Sequence, residues 1–188
     1  IEDLKTKTIK HINDKTFIED SLRVYRAVAF ASRFNFKIEE KTKELCKQIV
    51  LKNELKYLPK ERVYEEFKKL FLKSSKPSIG FELMRELGIL KYFSELQALI
   101  NCIQEPEYHP EGDVWVHTMM ALDEMARILK EENIENDYKE LYLFYSILCH
   151  DFGKPFCTEE INGKITSHKH ESLGIEPTIS FLFKITNE

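Results

Sequence analysis

The chain has 188 residues, 43% of them hydrophobic, which suffices for a real core in one large domain or two small ones. No run approaches the roughly 18 apolar residues of a membrane span, and the opening Ile1-Glu2-Asp3-Leu4-Lys5 has neither a signal peptide's apolar stretch nor an initiator Met, so the sequence reads as a cytoplasmic fragment that starts inside a longer protein. The formal net charge of −4 conceals a division: residues 1–80 hold 19 Lys and Arg against 12 Asp and Glu, whereas residues 81–188 hold 9 against 20, so a segment suited to a polyanion precedes an acidic one.

Helical periodicity dominates from the first residues onward. Phe17, Tyr25, Val28 and Ala29 recur on one side of a stretch from about 16 to 34, and Leu45, Ile49 and Val50 do so in the next. Val63, Phe67, Leu70 and Phe71 follow the spacing of an amphipathic helix, with Pro59 suited to its first turn. After a break at Ser74–Pro77, a helix from about 77 to 87 stops at Gly88. Residues 103–112 hold two prolines and a glycine and must be a loop, so the domain boundary falls between about 88 and 110. Val114, His117, Ala121, Met125, Ile128 and Leu129 then mark a long helix, and Leu141–Cys149 a buried one that ends near Gly153 and Pro155. Asn162-Gly163 between apolar residues predicts a hairpin, placed within about 157–167. The expected class is all-α, with one domain over 1–90 and a second over 91–188. Cys46, Cys102, Cys149 and Cys157 lack CxxC spacing and read as reduced thiols.

Two groups of residues carry chemistry. His150 and Asp151 are adjacent at a predicted helix end, where both can reach one metal ion, and His117 with His168 or His170 would complete a nitrogen and oxygen set for a borderline or hard divalent cation. Such an ion activates water and polarises a phosphoryl oxygen, and Lys154 lies within one turn, placed to hold a phosphate oxygen. In the other group, Glu19, Asp20 and Arg23 fall on one helical face at i, i+3 and i+4 spacing, which sets a carboxylate acceptor beside a guanidinium donor. That pair matches the donor and acceptor edge of cytosine or adenine. Spacing alone favours ordinary helical salt bridges.

The run Phe17-Ile18-Glu19-Asp20-Ser21-Leu22-Arg23-Val24-Tyr25-Arg26 resembles the ED-x-x-R neck helix of bacterial class II tRNA nucleotidyltransferases, the CCA-adding and poly(A) polymerase family. Tyr108–Thr118 and the His150-Asp151 run resemble the C-terminal HD domain of many bacterial members, and Leu58–Val63 and Leu87–Leu90 resemble the segments between. The resemblance implies that Asp20 and Arg23 template the incoming CTP or ATP, supported by Glu19 and Arg26, and that the basic helices up to about 80 contact a tRNA or RNA 3′ end. It implies that His117, His150, Asp151 and, further along, His170 bind a divalent metal of an HD phosphohydrolase; the catalytic cation read from position, Lys154, lies beside them. The head domain of the family, with its Gly-Ser run and its carboxylates for catalytic magnesium, is absent from the sequence, so the missing N-terminal head is itself an implied partner. The Asp that closes the HD pattern on a later helix also has no counterpart, which implies weakened metal binding. The alternatives are a stand-alone metal-dependent phosphohydrolase or phosphodiesterase and a catalytically silent RNA-binding helical module.

Overall fold

Apolar residues at helical spacing set the long elements of the chain, and the fold is all-α with only short strands, as expected from the sequence. The computed structural model describes residues 2–134 and 136–186. They form two units, the first made mainly of residues up to Tyr92 and the second of Phe93–Lys184.

The first unit runs α1 (Glu2–Lys5), β1 (Thr8–Ile9), α2 (Asp14–Glu19), α3 (Arg23–Phe34), β2 (Lys37–Ile38), α4 (Glu40–Leu51), α5 (Lys60–Lys73) and α6 (Ser78–Glu86), with single 3-10 turns at Glu54–Tyr57 and Ile89–Tyr92. Helix α3 is its centre. It buries Val24, Tyr25, Ala27, Val28, Ala29 and Ala31 and packs against α5 and α6. Phe81 of α6 is fully buried, with its ring centroid 6.1 Å from Phe67 and 5.8 Å from Phe71 of α5. β1 and β2 pair in parallel, Thr8 opposite Lys37 and Ile9 opposite Ile38.

Two sequence expectations change here. The continuous helix expected over about 16–34 is broken: α2 ends at Glu19, Asp20 is extended at φ −129°, ψ 94°, and α3 begins at Arg23. The cause is local, since Asp20 accepts the Leu22 amide on Oδ1 at 3.3 Å and the Arg23 amide on its carbonyl at 3.0 Å, offering the backbone an alternative to helix. Pro59 precedes α5 as its N-cap instead of occupying its first turn. The expected stop at Gly88 is found, with φ +76°.

The second unit comprises α7 (Ser94–Ala98), α8 (Val114–Glu131), α9 (Asp137–Cys149), a 3-10 turn at Lys154–Phe156, β3 (Glu159–Ile161), β4 (Lys164–Thr166), α10 (His170–Leu173) and α11 (Ile175–Ile185). α8 packs against α9, and Trp115, Phe144, Phe152 and Phe181 fill the interior. Phe181 meets Phe93 and Phe152 edge to face at centroid separations of 5.8 and 5.4 Å. β3 and β4 form the expected antiparallel hairpin, and Asn162 and Gly163 turn it with φ of 54° and 78°, the left-handed pair that a two-residue turn requires. The four cysteines are free. Among the described residues, no helix is long and apolar enough to cross a membrane.

Candidate functional site

Asp113 fixes the start of α8. Its Oδ1 accepts the Val116 amide at 2.9 Å, the N-terminal cap that the helix needs, and its Oδ2 accepts the Asn101 amide at 2.6 Å. Val114 and Trp115 donate their amides to the carbonyls of Cys102 and Leu99, so the first turn of α8 is held against the preceding loop. His117 projects from that turn, partly buried. His150 is the residue that ends α9, and Asp151 follows it, almost fully buried.

These elements bring together three of the four residues assigned to metal. His117, His150 and Asp151 present ligand atoms that all lie within 4.8 Å of one another. His150 Nδ1 donates to the carbonyl of Ile147 at 2.6 Å, which leaves Nε2 with its lone pair. Asp151 Oδ2 lies 3.1 Å from His150 Nε2 and 2.8 Å from Lys154 Nζ, yet neither approach has hydrogen-bond angles, so this buried oxygen is left without a directed donor. Burial opposes ionisation of Asp151, but the contacts with His150 and Lys154 prevail and hold its pKa down to about 2. Burial likewise works against charge on His150, and Asp151 outweighs it, raising the imidazole above its ordinary value. A borderline-to-hard donor set with a buried, incompletely satisfied carboxylate fits a divalent cation.

His170 lies beside this group, Nε2 at 3.6 Å from Asp151 Oδ1, with Nδ1 donating to the carbonyl of Ser167 at 2.8 Å. His168 is exposed. Lys154 is buried, and its ammonium is taken up by Gln104 Oε1 at 2.7 Å as well as by Asp151. Gly153 separates the two: a Cβ there would overlap the carbonyl oxygen of His170 and lie 2.6 Å from the amide nitrogen of Gly174, so the turn after Asp151 is in backbone contact with α10.

Sequence reasoning missed two residues of this neighbourhood. His109 and Glu111 lie in the loop before α8, where prolines and glycine signalled only irregular chain. Glu111 Oε1 is 2.7 Å from His117 Nδ1 and 3.0 Å from His109 Nδ1. A hydrogen bond at its own backbone, then those from His109 and His117, pulls its pKa down to about 2. The one available signal was the recurrence of His, Glu and His within nine positions just ahead of a helix.

In the first unit, the break between α2 and α3 places Asp20 beside Arg23, with Oδ2 3.9 Å from Nε. Arg62 of α5 approaches both carboxylate oxygens, at 3.4 and 3.5 Å. Arg23 also donates to the carbonyl of Thr16 at 2.5 Å. Glu19 is exposed at the last position of α2. Arg23 and Arg26 line a cleft of about 750 Å³ together with His11, Phe17, Phe30 and Thr42.

Residues 35–100 match the family described as "Probable RNA and SrmB-binding site of polymerase A". The chain is 38% identical over 98% of its length to a multifunctional CCA protein of Mannheimia succiniciproducens, and 36% identical over 95% to one of Pasteurella multocida. The chain belongs to the tRNA nucleotidyltransferase family. It spans about 44% and 41% of the length of those two relatives. A solved CCA-adding enzyme in complex with ATP matches 78% of this chain and 31% of its own, at 26% identity and a TM-score of 0.50.

Proposed function

We propose that the first unit of this chain is the base-selecting and RNA-binding part of a tRNA nucleotidyltransferase, a member of the family whose relatives carry the CCA name. The observation that supports it is Asp20 held beside Arg23 at the break between α2 and α3, at the edge of the cleft that Arg23 and Arg26 line. Asp20 accepts from the exocyclic amine of cytosine or adenine, and Arg23 donates to the adjacent ring nitrogen, whereas guanine and uracil present the opposite order at that edge. Glu19 and Arg26 flank the pair. Exposed Lys56, Lys60, Arg62, Lys69 and Lys73 supply cations for the phosphates of a tRNA or RNA 3′ end. Magnesium and the phosphoryl-transfer carboxylates belong to a head domain outside this sequence. In the full-length protein, Arg23→Ala is expected to abolish the preference for CTP and ATP over GTP and UTP, read by incorporation on a tRNA primer. Unchanged selectivity would sink the assignment.

A second reading concerns the other unit and rests on a separate observation, the convergence of His117, His150 and Asp151. It is a divalent-metal site of an HD phosphohydrolase acting on nucleotide or RNA-end phosphoesters, a member of the class in which a bound ion lowers the pKa of water and polarises the phosphoryl oxygen. His117 and His150 offer ring nitrogens and Asp151 a buried carboxylate. Lys154, engaged by Gln104 and Asp151, keeps that carboxylate in place; the catalytic role its position in the sequence suggests would require it to leave both partners. His170 supplies a further imidazole next to Asp151. Elemental analysis of purified protein should find a transition metal in the unmutated chain and none in His150→Ala/Asp151→Ala. Equal metal in both would remove this reading.

A further inference from the structure

Four imidazoles of the second unit share one property. A carbonyl oxygen can only accept, so His150 Nδ1, 2.6 Å from Ile147 O, and His170 Nδ1, 2.8 Å from Ser167 O, must both carry the proton. A carboxylate also only accepts when ionised, so Glu111 Oε1, shared by His117 Nδ1 at 2.7 Å and His109 Nδ1 at 3.0 Å, imposes the same tautomer on both of those rings. In its neutral form each of these rings therefore keeps its Nε2 lone pair for another use. The rings also form a continuous row, with centroids 4.9 Å apart between His109 and His117 and 5.5 Å apart between His117 and His150.

We infer that Glu111 is the positioning carboxylate of the second unit's metal site, acting through His117. The inference rests on the metal reading given above and extends it to the loop before α8. Glu111 holds the proton on Nδ1 of two neighbouring imidazoles at once, so the Nε2 atoms are available to an ion without any ring turning over. An outer carboxylate bonded to a ligating histidine typically changes metal affinity on the order of 10- to 100-fold. Glu111 is suited to that work because it is mostly buried, with 16% of its side chain exposed, and lies only six residues from His117, so loop and helix place both groups from one short stretch of chain.

The test uses the chain as it is, titrated with Zn²⁺, and two variants whose folding is checked by circular dichroism. Glu111→Gln should weaken Zn²⁺ binding on the order of 10- to 100-fold while leaving the number of nitrogen neighbours seen by X-ray absorption unchanged. Long-range ¹⁵N–¹H spectra of the metal-free protein add a readout that does not depend on metal: the His117 ring should be the Nδ1–H tautomer, and Glu111→Gln should mix its tautomers. If Glu111→Gln binds Zn²⁺ as the unmutated chain does while His150→Ala/Asp151→Ala does not bind, the inference falls and the metal site stands. If the unmutated chain binds no Zn²⁺, both fall. A second Zn²⁺ per chain, lost on Glu111→Gln, would make Glu111 itself a ligand and overturn its positioning role.

Discussion

Replacing Gly153 by alanine is expected to lower the melting temperature of the second unit by more than about 10 °C and to remove the metal binding proposed for it at the same time. The added methyl group would occupy the position of the His170 carbonyl oxygen and press on the amide of Gly174, 2.6 Å away. Neither is the end of a side chain that can swing aside. Both belong to the turn in which Gly174 donates to His170 O at 2.8 Å, so relief requires α10 to move as a body. Overpacking against backbone lies at the upper end of the usual range, about 3 kcal/mol, and for a unit of this size each kcal/mol corresponds to roughly 4–8 °C. The displaced segment carries His170, 3.6 Å from Asp151, and the altered turn carries Asp151 itself. Differential scanning calorimetry with and without Zn²⁺ would decide the matter. A melting temperature within a degree or two of the unmutated chain would show that the contact is not as close as described.

The second large effect is expected from Phe81→Ala in the first unit. The ring is fully buried, with Phe67 edge to face on one side and Phe71 on the other, and the neighbouring Gly80 sits against Leu70 of α5 and Ser32 of α3. Removing a buried phenyl group costs about 3–5 kcal/mol, from lost transfer free energy and from the cavity that the surrounding helices only partly close. Because α3 packs on α5 and α6 and begins with Arg23, the loss reaches the pair Asp20 and Arg23, for which base selection is proposed, through the helix that carries it. The midpoint of urea unfolding should fall accordingly, and Phe81→Leu, which keeps most of the volume, should cost less. An unchanged midpoint in Phe81→Ala would mean that the α3–α5–α6 core does not depend on this ring.

How much of this was legible beforehand depends on the range of the interaction. The start of α8 and the hairpin turn at Asn162-Gly163 were readable because periodicity and turn chemistry act over a few residues. The break at Asp20 was not, because Glu19-Asp20-Ser21 fits a helix interior as well as a cap until the Leu22 amide is seen to bond the Asp20 side chain. Gly153 read correctly as the end of a helix, but its stronger reason, the backbone of residues 170–174, lies some twenty positions later. Glu111 was invisible for a related cause. Its neighbours in sequence describe a loop, and only the folded arrangement shows one carboxylate oxygen between two imidazoles.

The pairing of β1 with β2 has a topological meaning beyond its two rungs. Lys37 donates to Lys7 O and Glu39 to Ile9 O, each at 3.0 Å, and the His11 amide bonds Thr42 Oγ1 at 3.2 Å. These bonds knot the base of a loop that encloses α2 and α3, and with them Glu19, Asp20, Arg23 and Arg26. The entropy of closing such a loop rises only as the logarithm of its length, so a few bonds at its neck are enough to confine a long stretch of chain. The residues proposed to select the base are thus borne on a tethered noose, whose geometry is set as much by residues 7–11 at its throat as by the helix on which they stand.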